Sequence, residues 1–325
     1  MAYSEQVLRR ARARLEQAKA ERAHENELHR QLAYARYPRL EEIDRTLQQT
    51  MSSLLSNVLQ QGGDPEQALA AVREQNLALQ REREWILEAG EFEDGFLEEA
   101  PVCTECGGSG YCGARMCSCL RELCRQEQKK ELTSLLGNGH ESFENFRLDV
   151  YPDAFDPNLG TSARKLMQSN FNFCRKYAQS FSPASGNLLF CGATGLGKTF
   201  LSASIARHVS DHGASVVYET AVRLLADFET EKFGAQNDPP RALTRKYFDC
   251  DRLIIDDLGT EKTTQFTVSA LYYLLNSRLM DSRAVIISTN LMPDAIEKRY
   301  SPQIASRIVG CFRLIKFAGE DIRRR

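Results

Sequence analysis

A chain of 325 residues has room for about two domains, and its 42 % hydrophobic and 26 % charged residues are the composition of a globular protein, not of a disordered tail. No apolar run approaches the roughly 18 residues of a membrane span, and the Arg-rich start Leu8-Arg-Arg-Ala-Arg-Ala-Arg14 lacks the apolar centre of a signal peptide, so a cytoplasmic protein is expected. A formal charge of −2 provides no chain-wide attraction to a polyanion, and any nucleic-acid contact has to come from a local patch.

Residues 1 to 100 are rich in Glu, Arg, Gln, Ala and Leu at helical spacing, which predicts a helical N-terminal region. Pro38 and Gly62-Gly-Asp-Pro65 punctuate it. A first helix should end near Tyr37, a second should run from about Leu40 to Gln60, and a third from Pro65 to about Ala89 with Asp64 as its N-cap. Trp85, the only tryptophan, falls in the third with Leu77, Leu79, Ile86 and Leu87. Packing inside a small bundle is its plainer reading and a protein-docking face the other. The basic start reads more simply as a solvated face than as a nucleic-acid patch, because Glu5, Glu16 and Glu21 interleave with it.

Five of the ten cysteines crowd between Cys103 and Cys119. In a reducing compartment that pattern reads as a metal site sooner than as disulfides. Cys103 and Cys106 have C-x-x-C spacing and Cys117 and Cys119 are C-x-C; four thiolates would close a tetrahedral structural Zn²⁺ site, with Cys112 as a spare or substitute ligand. Free thiols around a glycine turn are the alternative, and zinc is favoured over iron by four cysteines in so small a knuckle. Such a site has no open position for catalysis, and its expected work is to hold the core-poor element 101–137 folded. A helical stretch from Leu120 to Leu136 ends at Gly137-Asn-Gly139. The aromatic segment Phe143 to Pro152 reads as part of a linker, 138–160, lying on the domain that follows.

That domain, 161–325, opens with an amphipathic helix, Thr161 to about Phe181, and a turn, Ser182 to Gly186. The apolar run Asn187 to Cys191 then enters Gly192-Ala193-Thr194-Gly195-Leu196-Gly197-Lys198-Thr199, after which helical periodicity resumes. This is the G-x-x-x-x-G-K-T phosphate-binding loop in its strand–loop–helix context. Glycines are needed because backbone N–H groups reach phosphate oxygens only where no Cβ blocks them. Lys198 would then sit beside the outer phosphates of ATP and Thr199 would ligate Mg²⁺, with the following helix pointing its positive end at the anion.

Strand and helix signals alternate beyond the loop, predicting a parallel sheet covered on both faces, with further strands at Ser215–Glu219, Arg252–Asp256, Ala284–Thr289 and about Arg313–Phe317. Arg252-Leu-Ile-Ile-Asp256-Asp257-Leu-Gly259 is an apolar strand ending in two carboxylates, as a Walker B segment requires. Asp256 would hold the Mg²⁺ shell and Asp257 would orient or deprotonate the attacking water. Asn290, ending Ser288-Thr289-Asn290, could reach the γ-phosphate or the water from the next strand; an N-cap or turn role is its plain alternative. Arg307, on a helix, offers either an ordinary salt bridge or an arginine finger for a neighbouring subunit's ATP.

Gly192–Thr199, Asp256-Asp257-Leu-Gly259, Ser288-Thr-Asn290 and Ser306-Arg307-Ile together resemble the AAA+ ATPases of the bacterial helicase-loader type, the DnaC/DnaI-like group, with IstB-like transposition ATPases as close relatives. The resemblance covers roughly Phe143 to the end of the chain and extends, less specifically, to the cysteine element. It implies a P-loop AAA+ core without a full C-terminal lid. It also implies slow intrinsic ATPase turnover and ATP-dependent assembly with a hexameric DnaB-type replicative helicase, whose ring opens onto single-stranded DNA before hydrolysis or release resets the loader. By the same analogy the N-terminal helices and zinc element would grip the helicase. Arg323 matches a Gly-x-Asp-Ile-Arg ending of the group and would be a sensor-2-like nucleotide contact, a frayed basic tail being the alternative. The segment from Thr220 to Phe248 carries Phe228, Lys232, Phe233, Arg241, Arg245, Lys246 and Tyr247; aromatics among bases can stack on single-stranded DNA, against a plain reading as packed helix with a solvated face. Two other readings stay open: an IstB-like partner of a DNA transposase, and an adaptor for which hydrolysis is incidental.

Overall fold

Three long helices come first in the computed structural model, which describes residues 3–60, 65–92, 95–98, 100–135, 140–234 and 243–324. They are α1 (Glu5–Arg36), α2 (Pro38–Gln60) and α3 (Pro65–Ala89). Helix α1 stops where expected, because the ring of Pro38 disfavours a helical conformation for the residue before it. Asp64, expected to cap α3, lies outside the described residues. The chain divides into two units, residues 14–115 and residues 1–13 with 116–325.

In the first unit Ala33, Leu40, Ile43 and Ile86 are buried together, ringed by Tyr34, Tyr37, Phe92 and Phe96. Arg39 grips Glu82 through two hydrogen bonds of 2.8 and 3.1 Å, and Arg83 meets Asp44 at 2.8 Å. Trp85 is not part of this core: it is 69 % exposed. Successive helical residues are turned about 100° apart, so Ile86 takes the inward position and its neighbour faces solvent. Two short paired strands follow, β1 (Tyr111–Cys112) and β2 (Arg115–Met116).

The second unit is built on a parallel sheet. Helix α4 (Ser118–Leu135) leads in; the Gly137-Asn-Gly139 stop expected after it lies outside the described residues. A 3-10 turn (Phe143–Asn145) and the antiparallel pair β3 (Phe155–Asp156) and β4 (Thr161–Ser162) follow, then α5 (Ala163–Gln179), capped by the Ser162 hydroxyl accepting from the Lys165 N–H. The aromatic segment does more than lie on the domain: Phe143 and Tyr151 are buried in its core, and Phe146 stacks on Phe171 with centroids 5.3 Å apart.

Strand and helix then alternate: β5 (Asn187–Cys191), α6 (Lys198–Asp211), β6 (Val216–Thr220), α7 (Ala221–Phe233), α8 (Arg245–Asp249), β7 (Arg252–Leu258), α9 (Gln265–Met280), β8 (Val285–Thr289), α10 (Pro293–Arg299), α11 (Pro302–Cys311) and β9 (Phe312–Lys316), with a final 3-10 turn at Ile322–Arg324. The five strands run parallel in the order β6-β7-β8-β5-β9. All five lie within a residue or two of their expected positions, because runs such as Leu253-Ile-Ile255 and Val285-Ile-Ile287 are apolar on both faces, as a doubly covered sheet demands. Leu188, Phe190, Ile254 and Ile286 pack under α5 and α6; Leu189, Leu253, Ile255 and Ile287 pack under α7, α9 and α11. Each such side chain contributes about 1.5–3 kcal/mol on burial. The β6 edge is covered by α4, whose buried Gln128 donates to Ser210 Oγ (2.6 Å) and the Ala214 carbonyl (3.0 Å) and accepts from the Val216 N–H (2.9 Å). Among the described residues no helix is long and apolar enough to cross a membrane.

Candidate functional site

The strand order decides where the chemistry gathers. Because β8 lies between β5 and β7, the loop after β5, the carboxylates of β7 and Asn290 after β8 share one carboxyl edge of the sheet, where open α/β sheets bind ligands. Gly192 leaves β5 against the last strand's exit: a Cβ there would stand 2.6 Å from the Phe317 carbonyl oxygen. Gly197 precedes α6 at φ +86°, a left-handed conformation that glycine adopts without penalty. Gly192→Ala should therefore destabilise the protein by about 1–3 kcal/mol and weaken nucleotide binding, as read by thermal unfolding and nucleotide titration; unchanged values would contradict the close approach.

Lys198 folds back over the loop and donates to the carbonyls of Gly192 and Ala193, both at 2.7 Å. Burial pulls its pKa below the usual lysine value, opposed by the charges of Asp257 and Asp256. The Thr199 hydroxyl donates to Asp256 Oδ2 at 3.1 Å. Asp256 is buried and receives two further hydroxyls that sequence reasoning missed: Tyr218 donates to Oδ2 at 2.7 Å and Ser288 to Oδ1. Tyr218 reaches it because β6 pairs beside β7 with Tyr218 opposite Ile254, a juxtaposition that no local pattern signals. Asp257 is exposed on the same edge. Desolvation, then the charge of Asp256, raises its pKa against the pull of Lys198 and Arg323.

The end of the chain also reaches the loop. The Phe317 N–H donates to the Cys191 carbonyl (2.7 Å) and the Ile322 N–H to the Gly195 carbonyl (3.0 Å), and the charge of Arg323 acts on both Lys198 and Asp257. From the other side the buried Tyr151 hydroxyl donates to the Leu196 carbonyl at 3.0 Å. Thr194 and Leu196 complete the loop, and Leu196 is buried in the core beneath it. Asn290 follows β8 directly and is exposed. Arg307 is placed elsewhere: it lies on α11, its Nε donates to Asn276 Oδ1 at 2.9 Å, and its guanidinium sits 4.5 Å from the centroid of Tyr272, both on α9.

Of the candidate DNA-stacking residues, Tyr247 is fully buried and donates to Asp227, Phe228 stacks on Tyr247, and Lys246 pairs with Asp227 at 2.9 Å. Arg245 is paired with Asp249, and Arg241 lies outside the described residues. Phe233 remains exposed, its ring edge-on to Phe266 with the Lys232 ammonium over both.

In segment 101–119 the sulfur atoms of Cys103, Cys106, Cys117 and Cys119 lie within 4.8 Å of one another. Four thiolates at about 2.3 Å from one Zn²⁺ need no greater separation, so the donor set fits the ion. The Gly110 N–H donates to Cys106 Sγ at 3.3 Å, the kind of outer contact that orients a ligand. Cys112 stands outside the four, with its thiol toward the Glu105 carbonyl.

The chain is similar to several known proteins. Residues 172–305 match the family of IstB-like ATP binding proteins. The replicative helicase loader DnaC of Buchnera aphidicola subsp. Acyrthosiphon pisum is 21 % identical over 194 residues, 59 % of this chain and 74 % of that one. The chromosomal replication initiator protein DnaA of Campylobacter fetus subsp. fetus is 28 % identical over 130 residues, 40 % of this chain and only 29 % of that one. A crystal structure of the DnaC helicase loader overlaps with a TM-score of 0.44 at 19 % identity, covering 54 % of this chain and 98 % of that one. The chain thus pairs a parallel sheet carrying a P-loop and two carboxylates with a match of residues 172–305 to the IstB-like ATP binding proteins and a similarity to the DnaC helicase loaders.

Proposed function

We propose that this protein is an ATP-dependent loader of a hexameric, DnaB-type replicative helicase onto single-stranded DNA, with hydrolysis as its switch. The observation that carries the reading is the convergence of Lys198, Thr199, Asp256 and Asp257 on one sheet edge in a homologue of DnaC. Lys198 and the loop N–H groups would hold the phosphates, and Thr199 and Asp256 would hold Mg²⁺, which when bound neutralises charge developing on the transferred phosphoryl group. Asp257 would orient the attacking water, Asn290 would contact the γ-phosphate, and Arg323 would add positive charge beside the loop. Arg307, whose contacts are to α9, would act on a neighbouring subunit's nucleotide after self-assembly. Residues 1–100 and the zinc-binding element 101–137 would dock the helicase, the segment 138–160 would link them to the ATPase domain 161–325, and Lys232 with Phe233 would offer single-stranded DNA a cationic, stackable surface.

Size-exclusion chromatography of a pulldown with the DnaB-type helicase of the same cell tests this, with ATP and without, beside Lys198→Ala. A stable complex that is lost on deleting residues 1–135 is the expected result. The family match over residues 172–305 favours one second reading, an ATPase assisting a DNA transposase. Failure to bind the helicase in every nucleotide state, with capture of a transposase instead, would replace the loader reading with that one.

A further inference from the structure

Regular strands point successive side chains to opposite faces, yet the charges of Asp256 and Asp257 both act on Lys198. The register between β7 and β8 shows how. Ile255 pairs with Ile287 and Leu258 with Thr289, with an irregularity between them. Two residues of β7, Asp256 and Asp257, therefore face a single residue of β8, Ser288. This is a β-bulge, and bulges beside active sites re-aim side chains. Asp257 adopts φ +53° within it, a left-handed conformation that is uncommon outside glycine and that aspartate tolerates better than most residues.

Ser288 bonds to both residues of the bulge. Its hydroxyl donates to Asp256 Oδ1 and accepts the Asp257 N–H at 3.0 Å. The side chain is fully buried, so water does not compete for either bond. Thr289 fastens the far side of the bulge, donating to the Leu258 carbonyl at 2.6 Å. We infer that Ser288 is a positioning residue for ATP hydrolysis: its hydroxyl pins the bulge and so turns Asp257 to the same edge as Asp256, where it can act on the attacking water. This rests on the hydrolysis reading above and names the residue through which the β8 strand acts on the β7 carboxylates.

The test uses the full chain, with single-turnover ATP hydrolysis and titration of a fluorescent ATP analogue in Mg²⁺. Ser288→Ala should lower turnover about tenfold or more, in keeping with the cost of misplacing a reacting group, while nucleotide affinity falls by less than turnover does, because Thr199 and Tyr218 still donate to Asp256. Ser288→Thr, which keeps the hydroxyl, should stay within about threefold of wild-type turnover. On an Asp257→Asn background, Ser288→Ala should add less than about twofold, because it acts through Asp257. Where Ser288→Ala does not fold, as judged by thermal unfolding, Ser288→Cys, similar in size but a poor donor, takes its place with the same expectation. Wild-type turnover in Ser288→Ala, equal losses in the alanine and threonine variants, or a full additional loss on the Asp257→Asn background would each overturn the inference alone. Wild-type hydrolysis no faster than that of Lys198→Ala would instead overturn the hydrolysis reading, and this inference with it.

Discussion

Lys198→Ala should lower the affinity for ATP·Mg²⁺ about a hundredfold, whereas Asp257→Asn should leave affinity within about threefold and lower turnover about a hundredfold. The two residues separate because they meet different parts of the reaction. The Lys198 ammonium rests on the Gly192 and Ala193 carbonyls; phosphate oxygens there would exchange neutral acceptors for charged ones, and hydrogen bonds to charged groups are about twice as strong. Removing the lysine removes that gain from bound nucleotide in every state. Asp257 takes no part in the hydroxyl cage around Asp256, which Thr199, Tyr218 and Ser288 supply. Its replacement leaves that cage standing and removes only the carboxylate proposed to act on water. Fluorescence titration and single-turnover hydrolysis measure the two effects. Equal losses of affinity in both variants would show that Asp257 belongs to the binding site and not to the chemistry.

The second large effect belongs to the cysteines. Protein purified without added zinc should contain one metal ion per chain, and Cys103→Ser/Cys106→Ser should contain none. Structural Zn²⁺ supplies about 10–16 kcal/mol of apparent binding free energy in zinc-finger peptides, and Cys117 is the one buried hydrophobic residue of segment 101–119. Its strands are two residues each. The variant should be cut by protease between Pro101 and Cys119 far faster than the wild type. Cys112→Ser should keep the metal, because that thiol stands outside the group of four. Elemental analysis and limited proteolysis check both; wild-type protein without metal would remove the site.

The two halves of the candidate site differ in how far the amino-acid order exposes them. Gly192–Thr199 and Arg252–Gly259 are contiguous, and their chemistry is carried by local spacing: glycines where Cβ atoms would block the backbone, a lysine and a hydroxyl at fixed offsets, two carboxylates after an apolar run. The helix breaks at Pro38 and Pro65 are legible for the same reason, since a proline acts on its immediate neighbours. The four zinc-ligand candidates lie within seventeen residues, and their short spacing brings them together.

Contacts across the sheet are of another kind. Tyr218 meets Asp256 across 38 positions, Tyr151 meets Leu196 across 45, and Asn290 shares the carboxyl edge with them only because β8 lies between β5 and β7. Ser288 stood inside a motif singled out for Asn290, and its role appears only with the bulge, which is a property of two strands in register and of neither alone. Trp85 shows the converse: its apolar neighbours suggested packing, but which side of α3 faces the core is settled by where α1 and α2 lie. By itself, then, the sequence determined the loop, the carboxylate pair, the thiolate cluster and the alternating α/β plan, because each depends on residues adjacent along the chain or on apolar periodicity. Tertiary structure alone decided the strand order, the hydroxyls around Asp256, the left-handed turn of Asp257, the docking of the chain's end on the P-loop and the placement of Arg307 against α9, because each depends on which distant segments pack side by side.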